Sequence, residues 1–198
     1  MGTPRLQLTK EAIGASSPRL REVLDLYERA FPEAERYPAD MLLDNAQRPG
    51  VRFEAHLLGD ALAALTYTAE CDKGIYLLYL AVSEAVRGQG VGSAILADLR
   101  ARAGSRPLVL DVEPPYDDAP NARQRRRRLA FYRRGGLTST GRCTIDLGEK
   151  YLFLSTQPDV PTETLAAIAS EILQSEGALQ IFDAADLGVP TGDEPAGR

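Results

Sequence analysis

The chain has 198 residues, 44% of them hydrophobic, and a formal net charge of -5, enough to bury the core of one ordinary domain with appendages. The acidic balance argues against general nucleic-acid binding, no apolar run is long enough to span a bilayer, and the first ten residues lack the basic-then-apolar pattern of a secretory leader, so the chain reads as cytoplasmic. Cys71 and Cys143, the only cysteines, form no Cys-x-x-Cys pair, which excludes a sulfur-built zinc site and argues against a disulfide framework; no metal is expected. Lysine occurs only at Lys10, Lys73 and Lys150, and the remaining basic residues are arginine.

In chain order, Arg5–Thr9 alternates apolar with polar residues and predicts a first strand. Leu20, Val23, Leu24, Tyr27 and Phe31 fall at helical spacing, with Ser17 expected as N-cap, Pro18 at the first helical position and Pro32 as the stop. A short helix is predicted over Ala39–Gln47. Arg52–Leu58 and Ala61–Ala69, split by Gly59-Asp60, read as a β-hairpin. Gly74–Val82 (GIYLLYLAV) is the most strand-like stretch, nearly all apolar, and is expected to be central and covered on both faces. A glycine-rich loop leads into an alanine-rich helix over Val91–Ala103, and Leu108–Val112 predicts a further strand ended by Pro114-Pro115. Ala122–Arg134 reads as a helix closed by Gly135-Gly136. Leu137–Leu147 and Tyr151–Ser155 predict two closing strands, Pro161–Gln174 an amphipathic helix, and Gly188–Arg198 a disordered tail. The order fits a mixed α/β domain over 1–157, a helical extension over 158–187 and a tail over 188–198.

The sharpest feature is the run Val82 to Ser93. A buried strand ends, and glycines then open a helix. Glycines let consecutive backbone N–H groups turn toward one point without a Cβ in the way. At a helix N-terminus, those donors and the macrodipole make an anion site, with Arg87 adding a full charge. A P-loop would need Gly-Lys-Ser/Thr, which is absent. A Rossmann turn would need different glycine spacing starting at the strand end. Arg87, Gly90 and Gly92 match Arg/Gln-x-x-Gly-x-Gly/Ala residue for residue.

That pattern resembles the pyrophosphate loop of the GNAT N-acetyltransferase superfamily. Tyr79-Leu80-Ala81-Val82 is similar to the strand end before that loop. Phe131-Tyr132-Arg133-Arg134-Gly135-Gly136-Leu137 resembles the second family motif, and Phe31-Pro32-Glu33-Ala34-Glu35-Arg36 resembles a segment of its bacterial branch. The similarity covers roughly Arg5 to Ser155. It implies a mixed, mostly antiparallel sheet flanked by helices and splayed between the central strand and the next. It implies acetyl-CoA as cosubstrate, with the backbone near Leu80, Ala81 and Val82 taking the pantetheine. The amides of Arg87, Gly88, Gln89, Gly90, Val91, Gly92 and Ser93 would take the diphosphate, and Arg125 or Arg128 would lie near the cofactor's phosphates. It implies transfer to an amine, with Tyr132 as general acid for the leaving thiolate, and Glu33 and Glu35 on the acceptor-facing segment. Leu137 replaces the usual Phe, Arg125 stands where many members have Asn, and Leu78 where many have a glutamate base. A non-catalytic acyl-CoA-binding sensor of the same fold therefore stands as the alternative.

With no carboxylate on Ile75–Val82, the first candidate base is Glu113. Alternation sets Val109, Asp111 and Glu113 on one face of their strand. His56, the only histidine, lies on the hairpin and reads as a strand-surface residue. Arg123 and Arg125–Arg128 spread around a helix and read mainly as a solvated face. Helix Pro161–Gln174 reads either as cover for the acceptor end or as a homodimer contact. The acceptor amine is not legible.

Overall fold

A computed structural model describes residues 6–146, 148–172 and 179–192. The elements run β1 (Thr9–Ala12), α1 (Leu20–Ala30), α2 (Ala39–Asn45), β2 (Val51–Leu58), β3 (Ala61–Cys71), β4 (Gly74–Val82), α3 (Val91–Ala103), β5 (Leu108–Val112), α4 (Ala122–Arg134), β6 (Thr138–Asp146), β7 (Glu149–Ser155), α5 (Thr162–Ala169) and β8 (Ile181–Asp183). Short 3-10 turns occupy Glu33–Glu35 and Glu84–Val86. The eight strands hydrogen-bond in the order β1-β2-β3-β4-β5-β7-β6-β8. The β4–β5 pair is parallel, joining Ile75 to Leu108 and Tyr76 to Val109. Pairs β1–β2, β2–β3, β5–β7, β6–β7 and β6–β8 are antiparallel. This is the mixed α/β architecture that the element order predicts.

The chain forms two compact units, one of Met1–Ala69 with Leu77–Leu99, the other of Glu70–Tyr76 with Arg100–Arg198. In the first, β2 and β3 make the expected hairpin around Gly59, whose φ of 62° suits the turn. Phe53 and Tyr67 pack tilted rings 5.5 Å apart inside it, and the Tyr67 hydroxyl donates to the Leu42 carbonyl at 2.9 Å. His56 is buried, 2% exposed, and its Nε2 lies 2.8 Å from the Thr66 hydroxyl. It is a core histidine, not the surface one expected, because β2 buries three consecutive residues from Ala55 to Leu57 beside a register shift at His56/Leu57.

In the second unit, β7 lies between β5 and β6, and Leu152, Phe153 and Leu154 are fully buried. Burying side chains of this size contributes about 1.5–3 kcal/mol each. Helix α5 lays Leu165, Ile168 and Ala169 into the same core. A Cβ on Gly74 would stand 2.6 Å from Ile168 Cδ1 and 2.7 Å from the Pro107 carbonyl, so β4 starts with the residue that permits this approach.

Four local expectations shift. The first strand is Thr9–Ala12, not Arg5–Thr9; Arg5 lies outside the described residues, and β1 is an exposed edge strand set by backbone pairing to Glu54–Leu57. Helix α1 starts at Leu20, because the Ser17 hydroxyl instead accepts from the Gly14 N–H at 2.8 Å and donates to the Ala12 carbonyl. Helix α5 ends at Ala169 and is followed by turn residues; Gln174 and Leu147, at the ends of two predicted elements, lie outside the described residues. Of the tail expected to be disordered, 188–192 is described, with Val189 buried at 4% exposure and its N–H donating to Ala184; 193–198 lies outside. No described helix is long and apolar enough to cross a membrane.

Candidate active site

The first unit carries the glycine loop. After Val82 the chain makes the 3-10 turn Glu84–Val86, and Gly88 and Gly90 take φ of 80° and 86°. The Gly90 carbonyl accepts from Ala94 N at 2.9 Å, the first bond of α3. The N–H groups of Val91, Gly92 and Ser93 are therefore the opening donors of the helix, with no acceptor in the preceding turn. A Cβ built on Gly88 or Gly90 meets nothing within 4 Å. The loop is thus exposed and edged by backbone donors at a helix N-terminus, the form that suits a phosphate group. Arg87 is 57% exposed at its side chain and folds back, pairing with Glu84 at 3.0 Å and donating Nε–H to the Val82 carbonyl at 3.3 Å. Gln89 likewise donates to the Ala85 carbonyl at 3.2 Å. Both side chains brace the loop, and the backbone supplies the donors. On β4, Ala81 is buried while Leu80 and Val82 keep partial exposure.

The same unit holds Glu33 and Glu35 on the turn between α1 and α2. Glu33 is exposed. The Glu35 carbonyl accepts from the Tyr79 hydroxyl of β4 at 2.8 Å. The segment is thereby fixed to the strand that leads into the loop.

The second unit gathers Glu113, Arg125 and Tyr132. Glu113, one residue past β5, is 8% exposed. Its Oε1 takes Arg125 Nη2 at 2.5 Å and Asn121 Nδ2 at 3.4 Å, and its Oε2 takes Arg128 Nη1 at 3.0 Å. Arg125 also donates Nε–H to Asn121 Oδ1 at 2.6 Å and Nη1–H to the Pro114 carbonyl at 3.2 Å. Three of its five N–H donors are therefore committed to the protein. The polar residues of the α4 first turns thus clamp the helix to the end of β5. Tyr132 lies one helical turn beyond Arg128, buried, its ring 5.1 Å from that of Phe131. Burial pushes its hydroxyl up to about 12; the Arg128 charge opposes this and Asp111 adds to it. Tyr132 is a firmly protonated donor at neutral pH.

The sequence model of the family described as acetyltransferase (GNAT) matches residues 20–135, more than half of the chain. This chain belongs to the GNAT acetyltransferase family. A putative acetyltransferase, YjbC, of Bacillus subtilis (strain 168) is 39% identical over 66 residues, 33% of this chain and 32% of that protein, so the match spans about a third of the relative's length. Among solved structures, a putative GNAT-family acetyltransferase from Bacteroides thetaiotaomicron superposes with a TM-score of 0.60 at 22% identity, covering 74% of this chain and 85% of that one. A GNAT acetyltransferase from Elizabethkingia anophelis, solved with acetyl-CoA bound, gives 0.53 at 14% identity over 76% and 97%. These structures share the fold of this GNAT chain.

One group in this GNAT chain escaped the sequence reading. Asp111 shares the β5 face of Glu113 but keeps a desolvated carboxyl. Burial pushes its pKa up to about 7; a hydrogen bond from Tyr76 opposes the shift and the charge of Asp146 adds to it. Alternation placed Asp111 on the right face. The missing signal was depth: alternation sets the face of Asp111, which is half-buried, but not how far its carboxyl is desolvated.

Proposed function

We propose that this protein is an N-acetyltransferase that moves an acetyl group from acetyl-CoA to an amine. The observation that carries the proposal is the open, positive-φ glycine loop at the start of α3, which meets the family motif at Arg87, Gly90 and Gly92. Acetyl-CoA supplies the acetyl group as an activated thioester. Leu80, Ala81 and Val82 hold the pantetheine through their backbone, and the N–H groups of Gly88, Gly90, Val91, Gly92 and Ser93 hold the diphosphate, those of Arg87 and Gln89 being already donated to the Glu84 and Val86 carbonyls at 3.3 Å. The side chains of Arg87 and Gln89 stiffen the loop.

Direct transfer forms an N–C bond and breaks a C–S bond, so one proton must leave the amine and one must reach the sulfur. Tyr132 donates the second: it is buried and protonated, and a proton arriving as the thiolate leaves lowers the barrier. Two carboxyls of one β5 face compete for the first. Both oxygens of Glu113 already accept from arginines, which suits it to fixing α4. Asp111, with a proton affinity near neutrality, matches the poise of a general base.

The test is calorimetry with acetyl-CoA, with NAD and ATP as controls, followed by CoA release across amines. Selective CoA binding with turnover supports the enzyme; no CoA binding removes it. Leu78, where a family base often stands, keeps the second reading in view: a non-catalytic acyl-CoA sensor, which would bind CoA and release none with any amine.

A further inference from the structure

We propose that Arg36 is the anchor for a carboxylate on the acceptor, so that the acceptor is an amine that also carries a carboxylate; this rests on the acyl-transfer reading above. Arg36 sits between α1 and α2 on a rigid mount. The Tyr79 hydroxyl donates to the carbonyl of Glu35 at 2.8 Å and accepts from the N–H of Tyr37 at 3.2 Å, so both neighbours of Arg36 are tied to one atom of β4. The Tyr27 hydroxyl donates to the Tyr37 carbonyl at 3.1 Å. The rings of Tyr27, Phe31 and Tyr79 pack together with centroids 4.6 to 5.5 Å apart.

Arg19, Arg102, Arg106, Arg125, Arg126, Arg128 and Arg142 each pair with a carboxylate. Arg36 pairs with none among the described residues, and its Nε is buried with no hydrogen-bond acceptor. A buried donor left unsatisfied costs stability, and natural structures keep few of them without a use. A fixed backbone carrying a guanidinium whose buried Nε–H has no acceptor suits a site whose acceptor arrives with the ligand, and a guanidinium meets a carboxylate with two parallel bonds. Three residues beyond Tyr79, β4 ends at Val82 and enters the glycine loop, so the same strand carries the arginine mount and the start of the proposed cofactor site.

The experiment is calorimetry at saturating CoA with a panel of N-acetyl-L-amino acids and their matched carboxamides, used as product ligands. The expected result is tighter binding of the free acids by about tenfold to a hundredfold, the range of a charge-assisted hydrogen bond. R36Q should erase that gap and R36K should keep part of it. Y79F, which releases the mount but keeps the guanidinium, should narrow the gap and guards against an R36Q variant that misfolds. Equal binding of acids and amides, no binding of either, or an R36Q variant that retains the preference would overturn the proposal. Titration of CoA alone into the same preparations separates the two ideas. CoA binding without a carboxylate preference removes Arg36 only. Loss of CoA binding removes the acyl-transfer reading, and a surviving carboxylate preference would still stand for Arg36.

Discussion

Arg128 Nη1 donates to Glu113 Oε2 at 3.0 Å, across fifteen positions of sequence. The bond ties the middle of α4 to the end of β5, one helical turn before Tyr132. Glu113→Ala would leave Arg125 and Arg128 without their common acid. Breaking a buried ion pair on one side costs about 3–5 kcal/mol, and the partial exposure of the two arginine side chains, 17% and 29%, trims that toward roughly 2–3 kcal/mol. Urea unfolding checks it. An unchanged midpoint would mean the three residues form a solvated surface pair instead of a clamp.

Much of this arrangement is legible in the sequence, and the gaps have physical causes. The bounds of β4, α3, β5 and α4 follow from apolar runs and glycine or proline punctuation, and the structure places them at Gly74–Val82, Val91–Ala103, Leu108–Val112 and Ala122–Arg134. β8 was not legible, since three residues, Ile181–Asp183, are too few for any periodicity, and its register comes from β6. In the candidate site, the motif identifies the loop and Tyr132, but partner choice is tertiary. Nothing in the run of arginines tells that Arg125 and Arg128 converge on Glu113 while Arg126 takes Asp117. The desolvation of the half-buried Asp111 carboxyl likewise depends on what packs over β5.

Tyr132→Phe keeps the ring and removes the one proton assigned to the leaving thiolate. Turnover is expected to fall about a hundredfold or more, the usual scale of general-acid catalysis. Acetyl-CoA affinity should stay within about twofold, since no binding role is assigned to the hydroxyl. Steady-state kinetics beside calorimetry give both numbers. Equal turnover in the variant would take Tyr132 out of the chemistry and leave it a packing residue.

Gly90 has φ of 86°, and a Cβ there meets no atom within 4 Å. Gly90→Ala is therefore expected to cost about 1–2 kcal/mol through backbone strain alone, with no steric clash inside the protein. Its larger effect should be on acetyl-CoA, because the added methyl projects into the open space of the loop. Affinity should drop tenfold or more by the usual conversion of about 1.4 kcal/mol per decade. A folded variant with native CoA affinity would show that the diphosphate does not approach this backbone.

Asp111 gives the protein a pH signature of known sign. Its carboxyl titrates at about 7 in the fold and near 3.9 when unfolded. Its contribution to stability is therefore fully present below about pH 4 and is lost as pH rises to about 7, because the unfolded carboxyl ionises first. The loss amounts to roughly 2–4 kcal/mol, the upper end being the full shift at about 1.36 kcal/mol per pH unit. Asp111→Asn removes the titrating group but keeps a partner for the Tyr76 hydroxyl, so the variant should gain on the parent steadily between about pH 5 and 7 and hold its lead above. Urea midpoints across that range measure the difference. If Asp111 also takes the amine proton, Asp111→Asn should in addition erase the limb of kcat/KM near pH 7, and Glu113→Gln should leave that limb in place. A limb that disappears only in the Glu113 variant would reverse the two assignments, and parallel urea midpoints for parent and Asp111→Asn would show that the carboxyl is solvated in the fold.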